Sequence, residues 1–404
     1  MIRSFTFTVF LTALSLWGVS CASLNSPIQN ADVFVISEAV EDSIFSAQSD
    51  DAGATASPIF STREGARVHG YYAWWTRGLW LDLDLSLYDK LFFFEITPAS
   101  DGTIHDRNGY PFAWQGLIAK ADSFGVPVIP TMTLLDADSL QALFLNPDHR
   151  NALLKSSLEL IAESGGKGLH LDFEWFAPAE DTLRNGFHAY VDTLTAKVSK
   201  EYPNAEMSIF VPAFHPDGMV DLARIPAFFR EIMVQGYDLH WQTGPKAGPV
   251  SPLTGWNGKN WESIISRIDD QDVDRDRILM TVPYYGYEWP VLTSRPGSAT
   301  RGEARVVTNA RLDTLNVPEM QIATRDRVAA FGLQRDSTSG SPFYTFQDST
   351  GWYQGWFEDP LSLTAKYRFV LDQQLAGVTI FPIGYDASNM DAVLRDAFGT
   401  RRRD

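Results

Sequence analysis

From residue 66 onward, short runs rich in apolar and β-branched residues alternate with longer stretches whose apolar positions recur every three or four residues. That rhythm is the signature of βα units and a parallel sheet. Eight runs read as strands: 68–74, 90–96, 126–134, 168–175, 206–212, 231–237, 278–284 and 377–382. Between them, 151–164 places Leu154, Leu158 and Ile161 on one helical face, and 183–202 is a second helix candidate. Eight strands with intervening helices favour an α/β fold of the (β/α)8 barrel class over an open sheet. No glycine-rich phosphate or dinucleotide loop follows the first strand.

The spacing breaks once, where about 90 residues separate the seventh strand from the eighth. The stretch 293–354 is polar and in part Gly/Ser-rich, with helix-like and strand-like pieces. It reads as a small α+β insertion over 291–375 at the mouth of the barrel, where loop elaborations build active sites. The barrel proper is then expected to comprise 66–290 and 376–404.

The first 21 residues follow another pattern. Arg3 precedes an apolar run over 5–17 that is short for a bilayer span and has the layout of a secretory signal. Cys21, the only cysteine, follows Gly18-Val19-Ser20 in the manner of a bacterial lipobox, which predicts a lipidated N-terminus. Ordinary signal cleavage near Ala22 is the alternative. Both predict export to the cell envelope or beyond, with membrane contact only through the lipid anchor. The segment 22–65, rich in Ser, Ala, Asp and Glu, reads as a tether. With one cysteine the chain forms no internal disulfide, so core packing must supply its stability.

Composition narrows the partners. The chain has 404 residues and a formal net charge of -17, which repels phosphate backbones and argues against nucleic acid. Aromatic residues make up 13%, with 12 Trp, 14 Tyr and 26 Phe. Flat rings of this kind pack a large core or line a sugar cleft, where they match the C–H face of a pyranose. No HExxH-type spacing suggests a metal site, and no cofactor is implied.

The run Gly168-Leu-His-Leu-Asp-Phe-Glu-Trp175 carries the chemistry. Alternation along a strand sets Leu169, Leu171 and Phe173 on one face and His170, Asp172 and Glu174 on the other. In a barrel the apolar set packs under the helices, so the ionisable row points inward and toward the C-terminal mouth. Burying a carboxylate costs several kcal/mol unless it is paired, so the row calls for a satisfied polar layer or a function. Asp172 and Glu174 lie roughly 6–7 Å apart along the strand. That spacing suits a division of labour in which one acid has a raised pKa and the other stays ionised. Glu174, nearest the mouth, is the natural general acid, and Asp172, one layer deeper, the natural stabiliser.

GLHLDFEW resembles the signature strand of glycoside hydrolase family 18, DGxDxDxE. Five further segments resemble that family in the same order: HGYYAWW, VQGYDLHW, VPYYGYEW, WFEDPLSLTAK and GVTIFPIGYD. The resemblance implies a cofactor-free glycosidase that cleaves β-1,4 bonds beside N-acetylglucosamine by a substrate-assisted retaining route. It implies that Glu174 protonates the leaving oxygen and then activates water. Asp172 would orient the 2-acetamido group, Tyr237 would hydrogen-bond its oxygen, and Asp238 would contact the sugar. Tyr71 and the Trp74-Trp75 pair would supply aromatic surface near the cleft. The implied partner is an N-acetylglucosamine-containing glycan of chitin or peptidoglycan type, bound by a monomer.

Several positions depart from the family pattern. Lys167 and His170 replace two motif acids, Gln235 replaces a Met, Phe381 replaces a broad Trp, and Glu95 stands where an aromatic is common. A protonated His170 beside Asp172 would lower its pKa. These departures surround the innermost sugar position and leave a second reading, a sugar-binding relative that has lost hydrolysis. Such proteins usually lose the acid, and Glu174 is present.

Overall fold

The computed structural model describes residues 33–35, 65–214, 217–312 and 322–400. The segment expected to hold a signal and lipobox, with Cys21, lies outside the described residues. Eight parallel strands form the barrel: β1 (Arg67–Ala73), β2 (Lys90–Pro98), β3 (Val128–Leu134), β4 (Gly168–Phe173), β5 (Glu206–Val211), β6 (Phe229–Gln235), β7 (Ile278–Pro283) and β8 (Gly377–Phe381). They pair in sequence order, and β8 closes on β1. Each expected run coincides with its strand to within two residues at either end. Glycine is required where two strands begin. A Cβ on Gly168 would lie 2.0 Å from the Glu206 carbonyl oxygen, and one on Gly377 would lie 1.9 Å from that of Arg67.

The outer helices start where the local chemistry dictates. After β3, Asp136 caps α1 (Ala137–Leu145) through the Ser139 amide, and Asn146 with Pro147 opens α2 (Pro147–Glu163). After β4, α3 (Asp181–Glu201) packs Phe187 and Tyr190 against Phe144 of α1, and Phe173 of β4 meets Phe144 at 5.4 Å. After β6, α4 (Trp261–Asp269) is capped by Asn260. Before β8, α5 (Pro360–Asp372) begins in a reciprocal capping box of Asp359 and Ser362. Two staves of the barrel lack this cover. Among the described residues, β1 is followed by three 3-10 turns and the β5–β6 connection contains one, Leu222–Arg224, with no α-helix in either.

The barrel floor is closed by charge. Glu231 of β6 accepts from Lys90 Nζ at 2.6 Å, His69 Nε2 at 3.0 Å and Arg67 Nη1 at 3.0 Å, and Lys90 also pairs with Glu206. Lys90, His69 and Glu231 are all buried.

The insertion is a six-stranded antiparallel sheet ordered Val33–Val35, Gln334–Asp336, Pro342–Asp348, Gly351–Trp356, Tyr285–Val291 and Arg305–Thr308. Its boundaries differ from the expected 291–375. The sheet takes its fifth strand from Tyr285, directly after β7, while Pro360–Asp372 is an outer helix of the barrel. Within the segment 22–65, Val33–Val35 is an edge strand of this sheet rather than tether. Residues 22–32 and 36–64 lie outside the described residues.

Candidate active site

Along β4, Leu169, Leu171 and Phe173 face the helices, and His170 and Asp172 point into the barrel. Glu174 follows the strand at the mouth, its amide bound to the Leu134 carbonyl at 3.1 Å. His170 is fully enclosed between the Tyr71 hydroxyl, 2.8 Å from Nε2, and Ser208 Oγ, 2.8 Å from Nδ1. Phe92 covers the ring at 4.4 Å. Burial drives its pKa down to about 3, with the Lys90 charge adding to the effect, so the ring is a neutral imidazole. The condition for His170 to lower the Asp172 pKa, a protonated ring, is therefore not met.

Asp172 receives one weak hydrogen bond, from Thr133 Oγ1 at 3.3 Å, and its Oδ1 is buried without a partner. Burial first, then the negative charge of Glu95, pushes it up to about 8. The expected division between one raised and one ionised acid is therefore corrected: both carboxyls are raised, because both are desolvated. Glu174 is lifted well above the ordinary carboxylate range by burial, and then by Asp172, Asp238 and Glu95. Like charges in one desolvated pocket cannot all ionise, and the cluster holds protons near neutral pH.

Tyr237 and Asp238 follow β6. Asp238 adopts a left-handed backbone (φ 55°) that turns its carboxylate toward the insertion. There it accepts from Tyr285 at 2.6 Å and Tyr287 at 3.2 Å. Burial raises it to about 6 against those two hydrogen bonds. The Tyr237 ring lies parallel to Phe381 at 5.7 Å, and Glu174 is the foremost charge acting on its hydroxyl. Phe381, at the end of β8, also meets Tyr71, Phe94 and Tyr285. Trp75 packs edge-on to Phe94 and donates Nε1 to the Tyr385 hydroxyl at 2.6 Å.

The structure thus brings Glu174, Asp172, Tyr237, Asp238, His170, Tyr71, Phe381, Trp75 and Glu95 to one mouth. Gln235 is peripheral to the carboxyls, with its side-chain oxygen on the Ala213 amide at 3.4 Å. Lys167 lies at the far end of β4 and pairs with Asp122. Tyr285, Tyr287, Thr133 and Ser208 were not singled out from the sequence. The two tyrosines stand in the quoted VPYYGYEW run, and alternation there would have put both hydroxyls on one side.

A closed parallel barrel whose C-terminal mouth gathers protonated and ionised carboxyls among aromatic rings has the equipment of a glycosidase. The chain belongs to glycosyl hydrolases family 18, whose family model matches residues 133–386. YdhD of Bacillus subtilis (strain 168), which carries the name of a sporulation-specific glycosylase, is 24% identical over 324 residues, covering 78% of this chain and 69% of its own. A cortical fragment-lytic enzyme of Bacillus anthracis is 22% identical over 61% of this chain, and the match spans 53% of that protein. Among solved structures, the Bacillus cereus spore cortex-lytic enzyme SleL superposes with a TM-score of 0.67 at 18% identity, covering 85% of this chain and 76% of its own. A tobacco class V chitinase complexed with NAG4 does so with 0.70 at 13%, covering 83% and 100%. At such identities the superpositions establish the barrel fold.

Proposed function

We infer that this glycosidase cleaves β-1,4 linkages at N-acetylglucosamine in chitin-type or peptidoglycan glycans, with the 2-acetamido group of the substrate as nucleophile. The observation that carries the reading is the Asp172–Glu174 pair at the mouth of a family 18 barrel. Glu174, raised by burial, gives its proton to the leaving glycosidic oxygen while the acetamido oxygen bonds to the anomeric carbon. Asp172 turns its unpartnered Oδ1 to the acetamido N–H and steadies the oxazolinium ion. The Tyr237 hydroxyl donates to the acetamido oxygen. Glu174, now a carboxylate, takes a proton from water, which attacks the anomeric carbon and reopens the ring. Two inversions leave the configuration retained.

The names of the relatives support glycans of bacterial walls and chitin as substrates. The test is cleavage of chito-oligosaccharides and of purified peptidoglycan, followed by mass spectrometry. Glu174→Gln is expected to lower kcat by about 10²-fold or more, as loss of a general acid does. Binding of the oligosaccharides without cleavage by the unaltered chain would favour the sugar-binding alternative. The N-terminal run further supports export with Cys21 as lipid anchor. Radiolabelled palmitate should enter the protein in the cell and be lost with Cys21→Ala.

A further inference from the structure

Most of the described lysines are engaged. Lys90, Lys155, Lys167 and Lys366 sit in ion pairs, and Lys120 Nζ donates to the carbonyls of Trp80, Leu81 and Leu83. Lys246 and Lys259 are exposed, and neither side chain has an ion pair or hydrogen bond among the described residues. Both belong to the connection that leaves β6 at the mouth and runs to α4, whose first members are Tyr237 and Asp238.

That connection folds back on itself, with the Leu239 amide on the Val250 carbonyl at 3.0 Å. Its tip is closed by the Gly244 amide on the Trp241 carbonyl at 2.8 Å, and a Cβ at Gly244 would come within 3.4 Å of the indole. The insertion pins the same tip. Trp289 Nε1 donates to the Gln242 carbonyl at 3.1 Å, Thr300 Oγ1 to that of Gly244 at 2.8 Å, and Lys246 pairs with Ala299. Trp241 is 37% exposed, and Lys259 Nζ stands over its ring at 5.4 Å. Three residues of chain hold the Trp241 and Asp238 Cα atoms within about 11 Å of each other, so the indole lies beside the carboxyl cluster. His240 turns away from the tip, with Nδ1 on the Pro249 carbonyl at 2.8 Å and its ring edge-on to Trp256. Burial drives its pKa down to about 4, and Lys259 and Lys246 push the same way, so the ring is neutral. The positive charge at this rim is that of the two ammonium groups.

The rest of the mouth is acidic, and the chain carries a net charge of -17, a field that repels an anionic glycan. A neutral chitin strand has no use for a cation at the rim. A strand in which N-acetylglucosamine alternates with N-acetylmuramic acid does. Each neighbour of the cleaved N-acetylglucosamine then carries a lactyl carboxylate, free or extended by an acidic stem peptide. We propose that Lys259, held over Trp241 and assisted by Lys246, is a specificity-determining contact for that carboxylate, so that muramyl strands are preferred over chitin. The inference rests on the glycosidase reading and names its substrate class.

The test measures kcat and KM on alternating N-acetylglucosamine–N-acetylmuramic acid strands and on chito-oligosaccharides of equal length, for the unaltered chain, Lys259→Gln, Lys259→Arg and Lys246→Gln. The unaltered chain should favour the muramyl strands, and raised salt should erode that preference. Lys259→Gln should lower the ratio of the two kcat/KM values about 10-fold, through KM on the muramyl strands, as loss of a charge-assisted contact does. Lys246→Gln should lower it about threefold, and Lys259→Arg should keep it. Converting the carboxylates to amides should abolish the preference. Strands stripped of stem peptides separate the two sources: a preference that survives belongs to the lactyl carboxylate, and one that disappears belongs to the stem. A preference for chito-oligosaccharides, or a ratio unmoved by Lys259→Gln or by amidation, overturns the proposal. If the unaltered chain cleaves neither glycan, the glycosidase reading fails separately, and calorimetric titration with the muramyl strands decides. Binding that Lys259→Gln weakens about 10-fold upholds the contact, and equal affinities overturn it.

Discussion

The Tyr71 hydroxyl and His170 Nε2 lie 2.8 Å apart inside the barrel, one layer below Asp172, with the imidazole fully enclosed. Because Ser208 occupies the other ring nitrogen, a neutral imidazole satisfies both contacts as one donor and one acceptor. Tyr71→Phe strands a buried ring nitrogen, which should lower unfolding stability by about 1–3 kcal/mol. Denaturant titration at pH 7 checks this, and an unchanged midpoint would show that the ring has found another partner.

The raised carboxyls make the site expensive to fold in alkali. Asp172 moves from an ordinary value of 3.8 up to about 8, so its proton is held more tightly in the folded chain than in the unfolded one. The stability linked to that proton is complete below about pH 4 and is lost as pH rises toward 8. Asp172→Asn should therefore raise the melting temperature at pH 8–9, on the order of 2 °C or more, and much less at pH 4. Differential scanning calorimetry at the two pH values reads the contrast. A gain of equal size at both would remove titration as its cause.

The floor behaves in the opposite sense. His69 and Lys90 hold the buried Glu231 carboxyl far below the usual carboxylate range, against the cost of its burial. Its contribution is present above the unfolded value and survives deep into acid. Glu231→Ala takes away one of the two carboxylates that pair with the buried Lys90 and the one that holds His69 Nε2, and should cost about 3–5 kcal/mol. In the fraction that folds, kcat should be unaltered, which steady-state assays normalised to folded protein would establish.

Asp238 depends on the insertion for its charge. Burial raises it to about 6, and the hydroxyls of Tyr285 and Tyr287 oppose that rise. Tyr285→Phe removes the shorter hydrogen bond, so the Asp238 midpoint should move above 6. Stability near neutral pH should fall by about 1.5–3 kcal/mol, as for a hydrogen bond to a charged group. Carbon-13 NMR of the carboxyl reads the first effect, and a midpoint that stays or falls would contradict it.

Much of the barrel was legible because the strand runs are apolar and β-branched at regular intervals, and because β4 follows strict alternation through His170 and Asp172. Glu95 was harder. It sits on the one part of β2 where alternation fails, and a bulge is set by register with β3, which a single strand's pattern does not contain. The floor was hidden for a similar reason, since Lys90 and Glu231 are 141 residues apart. The neutral state of His170 needed its two partners on β1 and β5, and the missing helices after β1 and β5 left no mark in periodicity. Tyr285 looked like the end of a barrel strand because the chain passes into the insertion almost without interruption.

That passage has a consequence for engineering. The strand Tyr285–Val291 turns Tyr285 and Tyr287 toward Asp238, while Glu288, on its other face, is gripped by Arg305, Arg327 and Tyr344. A chimera that exchanges residues 285–356 between two barrels would import new phenols into the catalytic mouth together with the new sheet. Grafts meant to alter only how a glycan is gripped would retune the acid at 238 as well, so a transplanted insertion must bring its aspartate-facing hydroxyls in matching register.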